Sequence, residues 1–189
     1  MSTDIFADVV VDAPPGLVAS SREIVTVPSG GPGASGGPTV VRKSSDETVT
    51  GSTTLQDDDE LTFAIGANET WAVEVHLYLR ASTAFDGNVK FATSAPAGAT
   101  GRHSVTGLDP SNGGGATTGT VKNQSFGGLS TALSVGVAAS GSADSYALYT
   151  ASVVNDSTPG DVTVQWAQLN ASGTTTVLAG SFLVAYQIV

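Results

Sequence analysis

Alternation of apolar and polar residues dominates the chain from Thr39 onward. Leu61, Phe63 and Ile65 fall on one side of Thr62 and Ala64, and beyond Gly66-Ala67-Asn68 the period resumes with Trp71, Val73, Val75, Leu77 and Leu79. A period of two sustained over this length predicts strands with one buried face. The opposite face of the second strand carries Glu74, His76, Tyr78 and Arg80, as a sheet wetted on one side requires. Phe85-Asp86-Gly87-Asn88 holds the Asp-Gly turn signal and leads into Val89-Lys90-Phe91-Ala92, so the strands on either side are expected to pair as a hairpin. Ser94 to Gly119 is rich in Gly, Pro and Thr, with Val105 and Leu108 its large aliphatic residues, and reads as a long variable surface loop.

Four further strands are expected around Leu129 to Val137, Tyr146 to Val154, Val162 to Leu169 and Thr176 to Val189. Turn-forming clusters at Ser140-Gly141-Ser142, Asp156 to Gly160 and Asn170 to Gly173 separate them. The apolar run Phe182 to Val189 places the last strand in the middle of a sheet or against a neighbouring subunit, since an exposed apolar edge invites aggregation. The fold class expected is all-β, an antiparallel β-sandwich resembling a jelly roll of about eight strands. Trp71 and Trp166 fall at alternating positions and are expected in its core.

The chain before Thr39 has a different texture. Two short apolar runs, Ile5 to Val11 and Glu23 to Val27, stop at Pro14-Pro15-Gly16 and at Pro28. Ser29 to Pro38 is a Gly/Pro-rich linker that also parses as three Gly-X-Y triplets. The organisation expected is an extended docking arm over 1–28, a linker over 29–38 and a sandwich module over 39–189. Ile5, Phe6, Val9, Val10, Ile24, Val25 and Val27 have little to bury against within their own segments. They are the expected partner-docking residues, satisfied if the arm adds as a strand to a neighbouring sheet.

Composition narrows the function. The 189 residues carry 7 Lys+Arg against 17 Asp+Glu, a formal charge of −10. That charge opposes the counterion release behind nucleic-acid binding, and the basic residues form no stripe, so neither nucleic acid nor an anionic membrane is an expected partner. Charged residues make up only 13% of the chain, so Ser, Thr, Asn and Gln must supply the polar surface. The absence of cysteine excludes disulfides, thiolate metal sites and cysteine nucleophiles. Met1-Ser2-Thr3-Asp4 lacks the basic flank of a signal peptide, so no export signal is expected and the Asn-x-Ser/Thr matches at Asn68, Asn123, Asn155 and Asn170 read as chance.

Candidate chemistry is sparse. The two histidines lie apart, His76 on the polar face of a strand and His103 beside Arg102 in the expected loop, and neither is expected to be catalytic. Gly113 to Thr120 has the glycines of a phosphate loop without its lysine. Asp57, Asp58, Asp59 and Glu60 offer the hard oxygen donors that calcium takes, but without EF-hand spacing they read first as a solvated acidic turn before Leu61. No cofactor is expected, and a glycosidase would have to draw its carboxylates from Glu69, Glu74 and the acidic run.

The stretch Arg42-Lys43-Ser44-Ser45-Asp46-Glu47-Thr48-Val49-Thr50-Gly51 through Leu61-Thr62-Phe63 resembles a segment of structural proteins of tailed bacteriophages, notably those of actinobacteria. Val89-Lys90-Phe91, Ala95 to Gly101, Val164 to Gln168 and Val177 to Leu183 extend the resemblance over most of 39–189. It implies a β-sandwich module of a head-decoration, minor tail or tail-fibre protein, made in the host cytoplasm and carried on the virion surface, with no catalytic residue. Its implied partner is the major capsid protein or a tail protein of the same particle. A homotrimer is implied too, and the Gly-X-Y triplets and apolar last strand are in keeping with one. Of these roles the short chain favours capsid decoration through the arm, ahead of a tail or fibre module whose loops meet a host-surface glycan or receptor.

Overall fold

Where the period of two holds, the chain is extended. The computed structural model describes residues 37–82, 88–109, 121–137 and 144–188. The docking arm, most of the linker, the Asp-Gly turn, the Gly113 loop and the Ser140 turn lie outside them. Twelve strands follow in order: β1 (Thr39–Arg42), β2 (Glu47–Thr50), β3 (Gln56–Ile65), β4 (Thr70–Ala81), β5 (Val89–Ser94), β6 (Thr100–Leu108), β7 (Val121–Gly127), β8 (Leu133–Val135), β9 (Ser145–Val154), β10 (Gly160–Gln168), β11 (Thr174–Val177) and β12 (Phe182–Ile188). No helix occurs among the described residues.

The strands form two antiparallel sheets. A wide one runs β1-β12-β4-β9-β6-β7, with β2 and β11 paired to each other and β11 also on β4, and a narrow one runs β3-β10-β5-β8. Both β11 and β12 pair with the same strand, β4, at Leu79–Ala81 and Thr70–His76 respectively. They are therefore one strand interrupted at Leu178–Ser181, and β1 and β2 are its interrupted partner. Counted that way, and with the β6–β7 hairpin as an extension of the wide sheet, four strands face four. The connections β2 to β3, β3 to β4 and β4 to β5 each cross between sheets, as do those from β8 through β11. That is a jelly roll, so the expected class is the one found.

Strand by strand, several expectations change. Twelve strands replace about eight because two strands are broken, β6 falls in the expected loop and β7 follows just after it. β4 and β5 lie in different sheets and form no hairpin, since the Asp-Gly signal specifies a turn and not the pairing of what flanks it. The stretch Ser94 to Gly119 is not one loop: β6 pairs with β9 from Thr100 to Thr106. The last strand is interior, with β1 on one side and β4 on the other.

Between the sheets sit Leu61, Val75, Leu77, Leu79, Phe91, Tyr149, Trp166 and Leu183, all at or near zero exposure, with Trp71 close behind. Both tryptophans are thus core residues, as the alternation requires. Close approach is met with glycine: a Cβ on Gly101 would overlap the carbonyl oxygen of Ser152 on neighbouring β9.

Candidate functional site

Two features stand out from the sandwich: a buried charge cluster at the strand interruption, and the outer face of the wide sheet. The interruption begins where alternation stops, at Lys43-Ser44-Ser45-Asp46 opposite Leu178-Ala179-Gly180-Ser181. Backbone groups freed by the break are re-paired. Lys43 N–H donates to Ser181 O at 2.8 Å, Gly180 N–H to Lys43 O at 3.0 Å and Leu178 N–H to Tyr78 O at 2.8 Å. The Asp46 carboxylate accepts the Ala179 N–H at 2.7 Å. Gly180 takes φ +91°, a conformation that favours glycine.

With its backbone held this way, Lys43 reaches the narrow sheet. Its Nζ lies 2.9 Å from Asp58 Oδ1 and 2.9 Å from Glu47 Oε2, and both Lys43 and Asp58 are sealed from solvent. The acidic run is therefore not a solvated turn; it is part of β3. Register shows why: Thr163 faces Thr62 and Gln165 faces Asp57, so two steps on β10 span five on β3 and the strand bulges between. Asp58 Oδ1 accepts the N–H groups that the bulge frees, Glu60 at 3.0 Å and Leu61 at 2.8 Å. Burial raises Asp58 against the pull of Lys43, and its net shift is upward. Burial also raises Glu47, but hydrogen bonds from Lys43 and the Asp59 N–H bring its net shift down. One cation faces two carboxylates, so the cluster holds a proton longest on Asp58.

Asp57 and Glu60 of the run point to separate partners. Asp57 accepts from Gln165 at 2.8 Å. Glu60 binds the backbone and hydroxyls of Ser44 and Ser45 at 2.7 to 3.1 Å. No group of three metal-ligating side chains occurs among the described residues. The Ser44 and Ser45 hydrogen bonds hold the Glu60 carboxyl down at about 2 against an ordinary 4.5. Since the folded value lies below the unfolded one, Glu60 adds stability above about pH 4.5 that is lost as pH falls through about 2. Glu60→Gln is expected to lower the melting temperature at pH 7 and to melt with the parent protein below pH 2; thermal melts across that range check it.

The outer face of the wide sheet is made by the even-numbered residues of β4, β9 and β12. Register sets Tyr78 beside Tyr146, and Phe182 beside His76 beside Leu148. His76 stacks on Phe182 with ring centroids 4.3 Å apart, and its Nδ1 is 2.7 Å from the Tyr146 hydroxyl. Tyr146, Tyr186, Val40, Val154 and Ile188 on this face are 46% to 61% exposed. Apolar and aromatic groups gathered on one open face mark an interaction surface more than a solvated one. Its charges on β1, β4, β9 and β12 are Arg42, Glu74 and an exposed pair between Arg80 and Asp144 at 2.7 Å, which adds little stability.

No protein-family model matches this chain, and no curated protein does. Among solved structures, the infectious bursal disease virus VP2 subviral particle is similar over 82% of this chain and 42% of that one, at 10% identity and a TM-score of 0.21. The same virus's Gx strain gives 81% and 40% coverage, 11% identity and a TM-score of 0.19. Its T13 particle gives 82% and 40%, 12% identity and a TM-score of 0.21. The chain spans about two fifths of the length of these proteins. At such scores the likeness is a partial overlay of strands.

Other candidate residues fall as follows. His103 is not in a loop: it lies buried in β6, with Nδ1 2.7 Å from the Tyr149 hydroxyl, which also bonds Thr93. Burial pushes the His103 imidazole down and the Tyr149 phenol up, so both stay neutral as a core network. Glu69 staples the β3–β4 corner, accepting the Gly66 N–H at 2.6 Å and the Trp71 Nε1–H at 2.9 Å. Glu69, Glu74 and Asp58 thus belong to three separate environments. An open depression of about 450 Å³ is lined by Arg102, Ser104, Ser125, Thr150 and Ser152 and by no acid. The expected docking residues Ile5, Phe6, Val9, Val10, Ile24, Val25 and Val27 lie outside the described residues. The Lys43 cluster escaped sequence reading because its members are spread over two strands and a bulge.

Proposed function

We propose that this chain is a non-enzymatic structural component of a virus particle, a capsid decoration protein docked through residues 1–28 and displaying the jelly roll. The observation that carries this reading is the wide sheet's open aromatic face, on a sandwich where Asp46, Asp58, Glu60 and Glu69 hydrogen-bond its own backbone. A jelly roll serves many functions, so its shape alone does not decide. The resemblance of Arg42 to Phe63 to tailed-phage structural proteins supports a virion role, and that segment builds the interruption, the bulge and the charge cluster. The trimer implied by the same resemblance would bury part of the aromatic face.

Deleting residues 1–28 is expected to abolish attachment to the particle while the sandwich keeps its melting transition; binding to particles lacking the protein, followed by sedimentation, checks it. Undiminished attachment overturns the docking role. A second reading, a tail or fibre module that binds a host glycan, is favoured by the Tyr78–Tyr146 pair, whose rings lie 5.9 Å apart with the Tyr146 hydroxyl 2.7 Å from His76 Nδ1. Immunogold microscopy of particles, with antibody against residues 39–189, separates the two. Label over the shell supports decoration, and label confined to the tail supports the second reading.

A further inference from the structure

The Lys43 cluster has the parts of a condensation site. A buried primary amine, a buried carboxyl group and a half-buried second carboxylate meet there, with Nζ 2.9 Å from both Asp58 Oδ1 and Glu47 Oε2. We propose that Lys43 and Asp58 become joined by an intramolecular isopeptide bond, with Glu47 moving the protons, so that the two sheets are stitched covalently.

Asp58 is arranged as an electrophile. Its Oδ1 receives two backbone N–H groups, from Glu60 and Leu61, which are placed to stabilise the oxyanion that forms when an amine adds to Cγ. Its Oδ2 is buried and has no hydrogen-bond partner among the described residues. An ionised carboxylate would leave that oxygen's charge uncompensated, whereas a neutral acid leaves only a hydroxyl, which is also the leaving group. The upward shift of Asp58 agrees with this assignment. Glu47 is the proton acceptor, held in place by the Gln56 amide at 3.0 Å and the Asp59 N–H at 3.1 Å.

The step balances without an oxidant or cofactor. The starting groups are the Lys43 ammonium, the Glu47 carboxylate and the Asp58 acid. Glu47 takes one proton from Nζ, and the freed lone pair attacks Cγ to give a tetrahedral adduct with its negative charge on Oδ1. A second proton moves from nitrogen through Glu47 to Oδ2, the C–Oδ2 bond breaks with its electron pair, and water leaves. The products are a Lys43–Asp58 amide, one water and a Glu47 that returns to its carboxylate by releasing a proton to solvent. Fixed proximity replaces an encounter between separate molecules.

The test is the intact mass of the folded full-length protein. It is expected to fall below the sequence mass by one water, with tandem mass spectrometry of a digest showing the Lys43 and Asp58 peptides linked. The folded Glu47→Gln variant is expected to keep the full mass, its sheet content checked by circular dichroism. Full mass in the folded parent overturns the proposal, and so does a water loss mapped elsewhere, such as an aspartyl cyclisation. A linked Glu47→Gln protein overturns the role of Glu47, and if that variant fails to fold the parent mass still decides.

Discussion

Lys43→Met is expected to destabilise the sandwich by about 3–5 kcal/mol, among the largest effects of any single substitution here. The methionine fills similar space, so the loss is that of the amine: its contacts to Glu47 and Asp58 and the link it forms with Asp58. Asp58 and Glu47 would be left facing each other with no cation, in a site where Asp58 is 2% exposed. Neither can turn to water without giving up its other duty, since Asp58 satisfies the bulge of β3 and Glu47 holds the Asp59 N–H at 3.1 Å. Adding Asp58→Asn removes one stranded carboxylate and keeps an acceptor for the bulge, so the double variant should recover part of the loss, a non-additivity visible in a mutant cycle. Urea denaturation with the slope held common measures it. A loss below about 1 kcal/mol would show that the cluster holds nothing together.

Trp166→Ala is expected to cost about 3–5 kcal/mol through the cavity it leaves. Trp166 is fully buried on β10, the strand that β3 and β5 flank, so the narrow sheet has little freedom to close the gap. Trp166→Phe should cost clearly less. It keeps most of the ring and removes an indole N–H that is buried without a partner among the described residues. The same denaturation series reads both variants, and equal losses would mean that shape and not volume governs this site.

What could be read from sequence was whatever rests on apolar alternation. β3, β4, β9 and β10 follow from it, as does the burial of Trp71 and Trp166, while the interior place of β12 was one of the two that its continuous apolar run allowed. β6 was missed because its inward residues are His103, Val105 and Gly107, only one of them a large apolar group. His103 is buried through its bond to Tyr149 on the adjacent strand, and Gly107 admits Val135 closely, so the strand is specified by its neighbours and not by its own pattern. Asp58 was misread for a related reason. A carboxylate in a run of four acids looks solvated until a lysine fifteen residues away is known to cover it. The charge cluster is a long-range fact that no local period carries.

The pairing of β1 with β12 and of β2 with β11 also sets an order of assembly. Thr39 lies opposite Ala185 and Glu47 opposite Val177, so the first described strands wait for partners from the other end of the chain. During synthesis β4 has at most one of its flanking neighbours until β11 and β12 emerge, so the wide sheet closes only after they do. Topologies dominated by such distant pairings fold in milliseconds to seconds, and until closure the edge of β4 stands open to strands of other chains. The backbone pairing that holds the Lys43 break, with Gly180 and Ser181, is therefore among the last contacts to form.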